Sequence, residues 1–165
     1  MPSVPFDSLP PDARLWAFAS DRPLTADEGG ELLREVDDFI AGWAAHGQPL
    51  RAGRDWRLDR FLAVAVDQRD AHASGCSIDG LYRLLKAAEQ RLRTSFLRGG
   101  RVFYSLGSEE VTAVDRSEFT VRAVRGEVGP ATTVYDLTVT TKGDWEERFE
   151  RAASESWHRE LIPAG

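Results

Sequence analysis

The chain is poor in the features that would announce a chemistry. Its single cysteine, Cys76, excludes an internal disulfide, and only two of its 21 basic residues, Lys86 and Lys142, are lysines. It carries no charged-then-apolar leader and no apolar run near the ~18 residues a membrane helix needs, so a cytoplasmic protein is expected. Neither lysine follows a glycine run of the phosphate-loop type, and no G-x-S-x-G elbow or H-E-x-x-H pair occurs. The net charge of −6 argues against a nucleic-acid backbone as partner, because affinity there comes from clustered Lys and Arg.

What is present suits one folded domain over residues 1–165. The chain is 42% hydrophobic and 29% charged, and a chain of this size buries roughly 70% of its unfolded surface. Residues 1–12 contain Pro2, Pro5, Pro10 and Pro11 and read as an extended lead-in. An apolar run from Arg14 to Ser20 predicts a first strand. Thr25 and Glu28 form a capping box, predicting a helix whose apolar face carries Leu32, Leu33, Val36, Phe39, Ile40 and Trp43. Two strands follow, Arg51 to Leu58 and the continuously apolar Phe61 to Val66, joined by a turn at Asp59-Arg60. A second helix places Ile78, Leu81, Leu84, Leu85, Ala88, Leu92 and Phe96 on one face and ends at Gly99-Gly100. A hairpin (102–106 with 110–114), a helix from Asp115, a strand over 132–140 and a helix over 144–161 complete the pattern.

The resulting order predicts an α+β fold: a ferredoxin-like split βαβ core (βαββαβ) extended by a C-terminal β-α-β-α segment, with one mixed or antiparallel sheet and helices mainly on one face. In that arrangement the first and third strands are taken as parallel. The start of the Cys76 helix then lies beside Asp21, Thr25 and Asp67, and a Cys76–His46 pair is separated by about 30 Å.

The stretch Ala73-Ser74-Gly75-Cys76-Ser77-Ile78-Asp79-Gly80 is where a strand pattern gives way to a helix. A thiol at a helix N-terminus gains thiolate character from the unsatisfied amides, which makes Cys76 a candidate nucleophile with His72 or His158 as acid or base. The same helix start, through Ser74, Gly75, Ser77 and Asp79, could instead hold a small anion, with Arg22 or Arg69 as counter-charge. A buried, inert cysteine is the blander alternative. His72, Cys76 and Asp79 make too thin a ligand set for zinc, so no metal and no cofactor are expected.

Pro5-Phe6 with Ser8-Leu9-Pro10, Ala45-His46-Gly47-Gln48-Pro49-Leu50, Arg60-Phe61-Leu62, Ala65-Val66-Asp67, Ser74-Gly75-Cys76-Ser77-Ile78-Asp79 and Glu155-Ser156-Trp157-His158 together resemble a family of small uncharacterised bacterial proteins of Bacteroidetes type. Automated labelling often calls that family "ABC transporter ATPase". The resemblance covers residues 5–98 well and 107–150 loosely, and implies no activity that transfers. The missing phosphate loop excludes the ATPase label. The reading favoured is a non-enzymatic binding module with an unknown protein or a small anionic ligand as partner; the alternative is a thiol-dependent or anion-binding enzyme centred on Cys76.

Overall fold

A computed structural model describes residues 4–45, 48–69, 75–107 and 110–164. In chain order the elements are β1 (Arg14–Ala19), α1 (Ala26–Ala41), β2 (Ala44–Ala45), β3 (Gln48–Pro49), β4 (Arg51–Arg57), β5 (Phe61–Asp67), α2 (Gly75–Leu92), β6 (Arg101–Ser105), β7 (Thr112–Asp115), α3 (Arg116–Val124), β8 (Thr133–Tyr135), α4 (Lys142–Arg148) and β9 (Glu150–Ala152). The class is α+β, as the pattern predicts. The chain divides into two compact units: Met1–Leu97 with Val139–Trp145, and Arg98–Thr138 with Glu146–Gly165. Among the described residues no helix is long and apolar enough to cross a membrane.

The first unit is built on β5, all seven residues of which are buried. It pairs antiparallel with β1 on one side and with β4 on the other, giving the order β1-β5-β4. Leu62, Val64 and Val66 of β5 pack on Leu32, Val36 and Ile40 of α1 and on Leu81, Leu85 and Ala88 of α2. The capping box predicted for α1 forms in full: the Glu28 N–H donates to Thr25 Oγ1 and the Thr25 N–H to the Glu28 carboxylate. That carboxylate also takes both terminal nitrogens of Arg22, whose guanidinium holds it down to about 2.

Three expectations fail in this unit. The first and third strands are antiparallel: the crossover through α1 makes β1 parallel to β4, and β5, turned back from β4 by a tight hairpin, lies between them. The turn itself is centred on Leu58 and Asp59, with φ of 55° and 58°, and is closed by the Arg60 N–H on Arg57 O. Arg60 is instead buried to 3% exposure, its guanidinium donating to the carbonyls of Ser20 and Asp21. Helix α2 also stops at Leu92, before the glycine pair, because Arg93 turns left-handed (φ 52°) and the Glu89 carboxylate captures the N–H groups of Phe96 and Leu97.

The predicted single sheet is two. After α2 the chain does not return to β1; β6 joins a separate antiparallel sheet of order β7-β6-β8-β9. The place beside β1 is taken by residues 140–142, where the Leu15 N–H donates to Thr140 O and the Lys142 N–H to Ala13 O. The ferredoxin-like order is therefore not completed by the strand that follows α2. In the second unit Val102, Tyr104, Val114, Phe119, Val128, Val134 and Ala153 form the core. The predicted strand over 132–140 shortens to β8, and the predicted tail helix over 144–161 resolves into α4, β9 and two short 3-10 turns, Ala153–Glu155 and Trp157–Leu161. The tail aromatics at helical spacing are divided instead between α4, which buries Trp145, the residue before β9, Phe149, which is buried, and the 3-10 turn, where Trp157 is partly buried.

Candidate functional site

The junction marked in the sequence begins at Asp67, the last residue of β5. Its side chain is 4% exposed, yet it stays ionised because Arg69 donates from Nε at 3.0 Å, from Nη2 at 2.6 Å and from its backbone N–H at 3.1 Å. Arg51, opposite it on β4, adds Nη1 at 3.5 Å. These contacts, the Arg69 hydrogen bonds foremost, hold the Asp67 carboxyl below its ordinary range against the opposing effect of burial. The side chains of Arg69 and Arg51 remain 63% and 46% exposed. One buried carboxylate thus fixes two solvent-facing cations.

Gly75, Cys76 and Ser77 are the first residues of α2, and Asp79 is exposed on its first turn. His46, His72 and Ser74 lie outside the described residues, as do the side chains of Cys76 and Ser77. The position of the helix start is corrected nonetheless. Helices α1 and α2 run antiparallel: Arg22, just before α1, donates to Leu92 O at the end of α2, and Arg91 pairs with Glu35 at 2.8 Å. Near the other end, Gly80 sits against Phe39, where an added Cβ would meet the ring at 2.7 Å. The start of α2 therefore lies toward the end of α1, not beside Asp21 and Thr25. Asp21 is bonded at the far end, to Ser95 O. Arg22 is committed to Glu28 and Leu92 and is no counter-charge for the α2 start. The expected separation of Cys76 from His46 loses its basis.

His158 belongs to the second unit. It is 1% exposed and Ser156 is 6% exposed, and Ser156 Oγ lies 2.7 Å from His158 Nδ1. The ring stacks on Trp157 at 4.0 Å and meets the edge of Phe119 at 6.3 Å; Arg116 covers the outer face of Trp157 at 4.9 Å. Burial pushes the imidazole down to about 4, Asp136 pulling it up and Arg116 pushing it further down, so it is neutral at physiological pH. A serine–histidine pair this deep offers a substrate no approach in this conformation and serves as an internal hydrogen bond.

A third place was not read from the sequence. Val4 to Phe6, Asp37 and Ile40 of α1, and Gly53 and Arg54 of β4 line an open cleft of about 420 Å³. The Val4 N–H donates to Ala52 O, so the lead-in runs along the outer edge of β4. A Cβ on Gly53 would stand 2.7 Å from Val4 O, and this close backbone approach is what the glycine permits. Arg54 binds Asp37 in a fork, Nε to Oδ1 and Nη2 to Oδ2, each at 2.9 Å. A glycine inside a strand was the one signal available in the sequence.

No group of three His, Cys, Asp or Glu side chains that could hold a metal occurs among the described residues. Comparison of the chain with protein families, curated proteins and solved structures gives no match.

Proposed function

We propose that the protein is a non-enzymatic cytoplasmic binding module for a small oxyanion, held by Arg51 and Arg69 at the approach to α2. The supporting observation is Asp67. Burying a carboxylate costs several kcal/mol unless it is fully bonded, and this one is bonded to two guanidiniums that face solvent. The arrangement suits recognition: planar, pre-oriented guanidinium donors, a few residues along the chain before a helix whose N-terminus favours anions. Ser74, Gly75 and Ser77 are the further donors this reading assigns.

The probe is inorganic phosphate titrated at constant ionic strength and followed by amide chemical shifts. Saturable shifts at Arg51, Asp67 and Arg69 that weaken at least ten-fold in Arg51→Gln and Arg69→Gln support the reading. A response unchanged in both variants, or no saturation, overturns it.

A second reading, a thiol enzyme centred on Cys76, gains from the corrected position of the α2 start, which removes the argument that kept His46 away. Iodoacetamide alkylation of Cys76 against pH decides it: a thiol titrating near the ordinary value of about 8.5, or one inert in the folded chain, removes this reading.

A further inference from the structure

We infer that the cleft between the lead-in, α1 and β4 is a second binding site, specific for the backbone N–H and C=O of one apolar peptide residue. The chemistry comes from the Arg54–Asp37 pair. Arg54 spends Nε and Nη2 on Asp37, and among the described residues its Nη1 has no partner. The carboxylate beside it, 47% exposed, keeps acceptor capacity. Hydrogen-bonding to Asp37 raises the Arg54 pKa. A donor and an acceptor held side by side match the N–H and C=O of one extended peptide residue, which point the same way, whereas those of a single trans amide point in opposite directions. A free anion is disfavoured by Asp37, and a free cation by Arg54, so the pair selects a neutral dipolar group over either.

The remaining walls supply the apolar half: Val4, Pro5, Phe6 and Ile40. The volume of about 420 Å³ lies in the range of small-ligand sites, roughly 300 to 1,000 Å³. The wall opposite α1 is kept in place by the Val4 bond to Ala52 and by the absence of a side chain at Gly53. This site uses no residue of the phosphate-binding proposal, so either can fail alone.

The test titrates N-acetyl-leucinamide into the ¹⁵N-labelled full-length chain, with acetate and isobutanol as probes carrying one half of the chemistry each. Saturable shifts at Asp37, Gly53 and Arg54, absent with either half-probe at equal concentration, are expected. Arg54→Gln should weaken binding at least ten-fold, Arg54→Lys should weaken it too by losing the planar fork, and the exposed-surface variant Arg34→Gln should leave it unchanged. Variant spectra that overlay the parent away from the cleft establish that the fold persists. Shifts that are absent, that spread over the surface, or that survive in Arg54→Gln overturn the inference.

Discussion

The two units bury ionisable groups in opposite ways. In the first unit Arg60 and Asp67 are buried as charges, each with its hydrogen-bonding capacity met by carbonyls or guanidiniums. In the second, His158 is buried as a neutral ring, held by one serine, the face of Trp157 and an edge contact with Phe119. The first solution makes a side chain indispensable, since removing one partner strands the other in a low-dielectric setting. The second makes the unit sensitive to a proton, because among the described residues no carboxylate is hydrogen-bonded to the ring and Asp136 acts on it only through space.

The largest effect expected from this contrast is at Arg60. Arg60→Met leaves the carbonyls of Ser20 and Asp21 without their charged donor and should cost about 3 to 5 kcal/mol in urea unfolding. A cost under about 1 kcal/mol would show that those carbonyls find other partners.

Next comes acid. The folded pKa of His158 lies below its unfolded value of about 6.5, so the contribution is complete above pH 6.5 and is lost as pH falls toward 4. The loss reaches about 3 kcal/mol. Glu28, held down to about 2, and Asp67, also lowered, have contributions that are complete above the ordinary carboxylate range and fade only below it. Between pH 6.5 and 4.5 His158 should therefore dominate over these two. Amide exchange should accelerate in β6 and β8 before β5, and His158→Gln should flatten that dependence. Simultaneous acceleration in both sheets would erase the contrast.

Smaller still is Thr25→Ala, which removes one arm of the capping box and should lower first-unit stability by about 1 kcal/mol, measured by thermal unfolding. The last change has the opposite sign. Asp59 sits at φ 58° in a turn that suits glycine, so Asp59→Gly should raise stability by about 0.5 to 1 kcal/mol. A decrease would mean that the Asp59 side chain makes an interaction worth more than the strain.

Local signals carried the first unit well. The capping box, the uninterrupted apolar run of β5 and the spacing of Leu32, Val36 and Ile40 each depend on neighbours within a few residues, and each formed as read. What failed depends on distance along the chain. The end of α2 is decided by Glu89 reaching forward to Phe96 and Leu97, and the edge of β1 by residues more than a hundred positions later. The antiparallel order of the first and third strands needs no distant information, since a tight hairpin and one crossover already require it. At the site, the sequence offers Arg69 as a counter-charge for an anion, but not its pairing with Asp67 two residues earlier, whereas Arg54 and Asp37 meet across a helix and a strand and left no trace but Gly53.

The strip from Thr140 to Lys142 that borders β1 has a consequence for synthesis. A ribosome that has delivered residues 1–97 has released both long helices and the three strands of the first sheet, but the segment that closes β1 arrives only with the next 45 residues. At about 5 to 20 residues per second that is roughly 2 to 10 s. For that interval the nascent chain carries an unpaired strand edge, and its first unit cannot reach its final hydrogen-bonding until most of the second has been made.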